Sequence, residues 1–159
     1  MTKLSIIIPA YNEAQNLSKG VLDTVYQYLK TVDFTVEVLI VDDGSKDKTV
    51  EKVKEFIKGK KNFKLIENKH GGKAFTVMTG LLAAEGEIAL FTDMDQATPI
   101  NQIEKIMPKF DPPAGGGFDI VIGSRQGRKG APLVRKLAAW GFSVLRGVIL
   151  GLPYSDTQC

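Results

Sequence analysis

The chain has 159 residues, 43% hydrophobic and 25% charged, an ordinary composition for one soluble globular domain with a sizeable core. Its net charge of +3 is too small to argue for nucleic acid, and the single cysteine, Cys159, excludes an internal disulfide and fits a reducing compartment. No uninterrupted apolar run reaches the ~18 residues that a membrane span needs, and the first residues read as a strand rather than a signal segment.

Strand and helix signals alternate along the chain. Leu4 to Ile8 reads as a buried strand ended by Pro9. A helix is predicted from about Asn16, with Leu17, Val21, Val25 and Tyr28 on one face. Val36 to Val41 is a second, β-branched strand. Asp42-Asp43-Gly44-Ser45 turns the chain into a helix from about Lys48, with Val50, Val53 and Ile57 on one side. Phe63 to Ile66 is the third strand, and Gly71-Gly72 precedes a helix from about Lys73 to Ala84. Ile88 to Thr92 is the fourth strand. Pro99 opens a helix that runs through Phe110. After the loop 112–117 come a fifth strand, Asp119 to Ile122, and a long apolar helix from about Leu133 to Leu150.

Strands that alternate with helices imply βαβ units and a mainly parallel α/β sheet. Right-handed crossovers put the loops after the strands on one rim. Those loops carry Asn12-Glu13, Asp42-Asp43, Asn68 to Lys73, Asp93 to Gln96 and Gly123-Ser124-Arg125, so the unusual polar clusters converge where open α/β sheets bind ligands.

Each cluster reads two ways. Asp93-Met94-Asp95 places two carboxylates at i and i+2, which repel unless a cation lies between them, and such hard oxygens suit Mg²⁺ or Mn²⁺ with substrate phosphates completing the shell. The same residues can also serve a turn or cap before Thr98-Pro99. Asp42-Asp43 is either an Asx-type turn before Gly44 or a carboxylate pair accepting bonds from a base or ribose. Gly71-Gly72-Lys73 is a solvated turn or a phosphate cradle, because a lysine in a first helical turn opposes the helix dipole unless an anion is near. His70, the only histidine, reads as a turn residue. From Ile120 to Leu150 stand Arg125, Arg128, Lys129, Arg135, Lys136 and Arg146 with no acid among them, a solvated face or an anion site. The segment 133–152 is plain core or a membrane-interface helix.

In order along the chain, Ile6-Ile7-Ile8-Pro9-Ala10-Tyr11-Asn12-Glu13, Val41-Asp42-Asp43-Gly44-Ser45, Asp93-Met94-Asp95, Gly123-Ser124-Arg125 and Asp156-Thr157-Gln158-Cys159 resemble glycosyltransferase family 2, the inverting enzymes of GT-A (Rossmann-like) fold. The likeness covers essentially the whole chain, read as one catalytic domain over 1–159. Within the family it points to the polyprenyl-phosphate glycosyltransferases that use dolichyl phosphate, the glucosyl-transferring ones first and the mannosyl-transferring ones next. The resemblance implies that Pro9, Tyr11, Glu13 and Asp43 line a nucleotide pocket supported by Asp42, with Lys73 near the donor. It implies that Asp93 and Asp95, joined by Gln96, hold Mg²⁺ or Mn²⁺. Arg125 and Arg135 would receive the lipid phosphate, and Asp156 would lie near the acceptor; Asp93, Asp95, Arg125 and Asp156 form its catalytic set.

The implied partners are a nucleotide sugar, UDP-glucose in preference to GDP-mannose, a polyprenyl phosphate and a membrane surface, with no nucleic acid. The implied location is cytoplasmic, peripheral at a membrane. Relatives of this kind continue past the Asp-Thr-Gln-Cys motif, so a C-terminally truncated domain is expected. Two rivals stand beside this reading. A phosphatase with Asp93 as nucleophile needs Thr where Ala97 stands. A nucleotide-sugar-binding, membrane-docking module would bind donor without turnover.

Overall fold

Seven residues without a charge, Leu4–Ala10, form the central strand, β1, in a computed structural model that describes residues 2–111 and 115–123. Successive strand residues point to opposite faces, and Ile6, Ile7 and Ile8 are all fully buried, so both faces of β1 are covered. Parallel sheets covered in this way read as continuous apolar runs, which is how the sequence presents them. β2 (Val36–Asp42) pairs with β1 in parallel, Ile8 opposite Ile40. β3 (Phe63–Glu67) pairs with β2, Ile40 opposite Leu65. β4 (Ile88–Phe91) lies on the other side of β1, Ile7 opposite Phe91.

The strand order is β3-β2-β1-β4, all parallel. Parallel neighbours need crossovers, and helices supply them: α1 (Ala14–Ser18) and α2 (Val21–Leu29), then α3 (Thr49–Ile57), then α4 (Lys73–Ala83). The chain winds outward from β1 to β3 and returns to the far side of β1 with β4. The loops after β1 and β4 therefore part, and this reversal is the switch point at which such sheets hold ligands.

Ile7, Leu39 and Val41 pack with Ile66 and Ala84 in the core. α4 can lie close on the sheet because Gly80 faces it: a Cβ there would come within 3.1 Å of Val41 Cγ2 and closer still to Ile7.

The expected α/β architecture is present, with three local differences. The first helix is two, divided at Gly20, whose φ of 78° is left-handed; Leu22 and Val25 are its buried residues. The helix expected from Pro99 to Phe110 is instead a 3₁₀ turn at Ile100–Gln102, the single turn α5 (Ile103–Ile106) and a 3₁₀ turn at Met107–Lys109. Pro108 lacks an amide and disfavours helical backbone before it, which prevents a continuous helix there. Residues 119–122 form no strand, and Ile120 and Ile122 are exposed. A β-branched run becomes a strand only where a ladder partner is supplied, and no described residue supplies one. The chain divides into two compact units, Met1–Gln102 and Ile103–Cys159, and the sheet lies in the first.

At the edge of the sheet away from the functional rim, a buried glutamate ties the strands together. Glu37, 5% exposed, accepts from Ser5 Oγ at 2.6 Å, the Glu85 amide at 2.7 Å and Lys64 Nζ at 3.1 Å. Burial pushes its carboxyl up, but the bonds from Ser5, Glu85 and Lys64 outweigh that and hold it below the ordinary range. A depressed carboxylate contributes stability above its unfolded value and loses it as pH falls through the folded value. Glu37→Gln keeps the bonds to Ser5 and Glu85 but turns an amide toward Lys64. It should cost about 1–2 kcal/mol in urea unfolding at neutral pH, with the difference shrinking below about pH 4.

Candidate functional site

β2 ends on Asp42, and Asp43 follows it; both acids are buried and do different work. Asp42 Oδ2 accepts the amides of Gly44 at 3.0 Å and Ser45 at 2.9 Å and so closes the turn. Its Oδ1 is buried with no hydrogen-bond partner among the described residues. Asp43 reaches across to the loop before α4. Its carboxylate accepts the amides of Gly71 at 2.8 Å and Gly72 at 3.0 Å, and His70 Nδ1 lies 2.8 Å from Oδ2.

Burial alone would raise the Asp43 carboxyl. The bonds from Gly71, Thr76 and Gly72, with the His70 charge, hold it below the usual carboxylate range. His70 Nδ1 is also 3.1 Å from the Asp43 carbonyl oxygen. Carboxylate and carbonyl oxygens only accept here, so Nδ1 donates to them. The ring stacks on Tyr11, with centroids 4.6 Å apart and planes at 29°.

The loop after β1 is stitched to the loop after β2. Asn12, in left-handed backbone at φ 56°, donates its amide to Ser45 Oγ at 2.9 Å and accepts the Lys46 amide at 2.8 Å. The Glu13 amide donates to Thr49 Oγ1 at 2.7 Å, and the Ala14 amide to Asp47 Oδ2 at 3.1 Å. The first amides of α1 thus find partners from another loop, since no side chain caps that helix from its own N-cap. Burial raises the Asp47 carboxyl, but bonds from Thr49 and Ala14 hold it low.

Beyond β4, Met94 is 2% exposed and anchors its loop, with a carboxylate on either side. Asp93 Oδ1 pairs with Lys73 Nζ at 2.6 Å. Asp95 Oδ1 accepts the Ala97 amide at 2.9 Å, the local turn role. Gln96, left-handed at φ 52°, donates Nε2 to the Asp93 carbonyl at 3.2 Å.

Pro9, Tyr11, Glu13, Asp43, Lys73, Asp93 and Asp95 share one cavity of about 380 Å³ at the switch point, within the first unit. That volume falls in the range of small-molecule sites. Asp42 and Gln96 support the rim rather than line the cavity. Arg125, Arg135, Asp156 and the segment 133–152 lie outside the described residues.

The donor set fits Mg²⁺ or Mn²⁺. The described residues contain no group of three His, Cys, Asp or Glu able to enclose a metal. Asp93 and Asp95 instead offer two carboxylates on an open cavity, the arrangement that leaves coordination positions for phosphate oxygens. Gln96 Oε1, behind the cavity lining, is buried with no hydrogen-bond partner among the described residues.

Four residues that the sequence did not single out as functional are brought by the structure to the site or its walls. His70 lines the cavity rather than an indifferent turn, and Thr76 lies buried beside it. Thr49 accepts the Glu13 amide and Asp47 the Ala14 amide. Only their closeness to Asp42-Asp43 in sequence could have flagged the last two, because the bonds that matter span more than thirty residues.

The family described as Glycosyl transferase family 2 matches residues 5–151. A dolichyl-phosphate beta-glucosyltransferase of Trichomonas vaginalis is 35% identical over 98% of this chain and 51% of its own length. One of Dictyostelium discoideum is 34% identical over 98% of this chain and 52% of its own. The chain thus spans about half the length of these curated relatives. Among solved structures, a mannosyltransferase from Pyrobaculum calidifontis in complex with GDP-Man and Mn²⁺ superposes with a TM-score of 0.51 at 32% identity, over 58% of this chain and 27% of that one.

Proposed function

This chain belongs to glycosyl transferase family 2, and from that premise we propose that it carries the donor site of a polyprenyl-phosphate glycosyltransferase. It would move a hexose, glucose in preference to mannose, from a nucleotide-diphosphate sugar to a polyprenyl or dolichyl phosphate with inversion. The observation that carries the reading is a single cavity at the switch point, walled by Asp93 and Asp95 on one side and by the Asp43-clamped start of α4 on the other. A divalent metal on the acidic pair, with Lys73 beside it, would let the cavity receive a diphosphate. The names of the Trichomonas and Dictyostelium relatives favour glucose and dolichyl phosphate, and the Pyrobaculum complex favours a nucleotide sugar with Mn²⁺.

In this proposal Pro9, Tyr11 and Glu13 flank the nucleoside. Asp43 shapes the pocket through its bonds to the Gly71 and Gly72 amides. Asp93 and Asp95 would hold the divalent metal, with Gln96 behind them. When bound, such a metal neutralises charge on the departing diphosphate.

An oxygen of the lipid phosphate attacks the anomeric carbon, its bond to the diphosphate oxygen breaks, and the nucleoside diphosphate leaves with that electron pair. The phosphate is already anionic near neutral pH, so no strong base is required. Positioning and charge stabilisation supply the rate. Arg125 and Arg135 are proposed to receive the acceptor phosphate and Asp156 to act near the acceptor, with 133–152 as a membrane-interface element.

The test is transfer from UDP-glucose or GDP-mannose to a short polyprenyl phosphate with Mn²⁺, and NMR assignment of the product anomer. A β-linked glucosyl phosphate is expected, and an α-linked product would overturn the inverting mechanism. Donor binding with neither transfer nor hydrolysis would favour the binding-module reading instead.

A further inference from the structure

Lys73 opens α4, whose first turn has no acidic residue and whose N-cap, Gly72, offers no side-chain bond. A cation at that end opposes the helix dipole. The structure gives it a partner: Nζ lies 2.6 Å from Asp93 Oδ1, so one of the two candidate metal carboxylates is already neutralised by the chain itself. Asp95, the other, accepts only the Ala97 amide among the described residues.

The pair is breakable. The side chains of Lys73 and Asp93 are 60% and 45% exposed, and exposed pairs contribute little. A lysine ammonium rides on a flexible stem and moves at small cost. Both residues line the same cavity, where a second anion can be reached without rebuilding α4.

We propose that Lys73 is an exchangeable counter-cation: it occupies Asp93 before loading, yields that carboxylate to the divalent metal, and passes to the diphosphate of the incoming donor. This inference rests on the metal reading of Asp93 and Asp95 given above. A dication entering at Asp93 alone must displace an ammonium ion and then sit beside it. The donor diphosphate removes both penalties, because it gives Lys73 a new partner. Metal and donor binding are thereby coupled through Lys73, and by linkage each strengthens the other equally.

The test is a Mn²⁺ titration of the 159-residue chain, followed by the EPR signal of the free aquo ion, with and without UDP and without turnover. Lys73→Met and Lys73→Gln should bind Mn²⁺ about threefold to fivefold more tightly than wild type in the absence of UDP, the worth of an exposed ion pair. Both should show a smaller gain on adding UDP. Lys73→Arg, which keeps the charge, should stay near wild type without UDP. Unchanged or weaker Mn²⁺ binding by the neutral variants overturns the exchange while leaving the metal site standing. No uptake of Mn²⁺ by the wild-type chain, even with UDP, overturns the metal reading and the exchange together.

Discussion

Asp43→Asn is expected to lower the thermal midpoint by roughly 5–10 °C and to abolish detectable binding of a nucleotide sugar. The carboxylate is 4% exposed, and both of its oxygens accept, from the Gly71 and Gly72 amides and from His70 Nδ1. An asparagine keeps the shape but turns an NH₂ group toward donors, leaving at least one of them without its acceptor. A loss of about 2–3 kcal/mol follows from bonds to a buried charge of this kind. The stability effect should depend on pH in a fixed direction. Because the folded carboxyl is held below its ordinary value, its contribution is complete above about pH 4, the unfolded value, and fades as pH falls through the lower folded one. Wild type and variant should therefore converge in acid. A midpoint within a degree of wild type at neutral pH would show that the Asp43 clamp does not hold the start of α4.

Asp95→Asn should do the reverse, leaving the fold alone and removing the chemistry. Asp95 is exposed, and an asparagine can still accept the Ala97 amide, so stability should stay within about 0.5 kcal/mol. The loss falls on the metal-dependent step: roughly 100-fold or more in Mn²⁺-supported donor affinity, and several kcal/mol of transition-state stabilisation, about three orders of magnitude in kcat. Asp93→Asn should match it in turnover. Its metal-free donor binding should differ, because Lys73 is then released from its partner. Full activity in Asp95→Asn would remove the metal from the account. The contrast between Asp43 and Asp95 separates a carboxylate that builds the pocket from one that serves it, two residues the sequence presents alike.

The sheet was legible because its signals are local and strong. Ile6-Ile7-Ile8 and Val38 to Val41 can be nothing but buried strand, and the glycines before Lys73 mark where a helix begins. The convergence of Asn12-Glu13, Asp42-Asp43, Lys73 and Asp93 to Asp95 followed from topology alone, since right-handed crossovers put every post-strand loop on one rim. What was not legible depends on contacts between distant loops. His70 read as a turn residue because nothing near it in sequence shows that Asp43 and Tyr11 hold its ring. The pairing of Asp43 with the Gly71 and Gly72 amides spans nearly thirty residues and has no periodic signature. Asp119 to Ile122 misled in the other direction: its β-branched residues supply propensity, but propensity does not supply a ladder partner.

The cavity between Asp43, Lys73, Asp93 and Asp95 is proposed to be a metal-dependent nucleotide-sugar site. Calorimetric titration of UDP-glucose into the wild-type chain, with GDP-mannose in parallel, tests it most directly when run with Mn²⁺ and again with excess chelator. Saturable one-to-one binding of UDP-glucose with Mn²⁺, weaker binding of GDP-mannose and loss of both under chelator are expected. Equal binding with and without metal, or no binding of either donor to a folded chain, would contradict it.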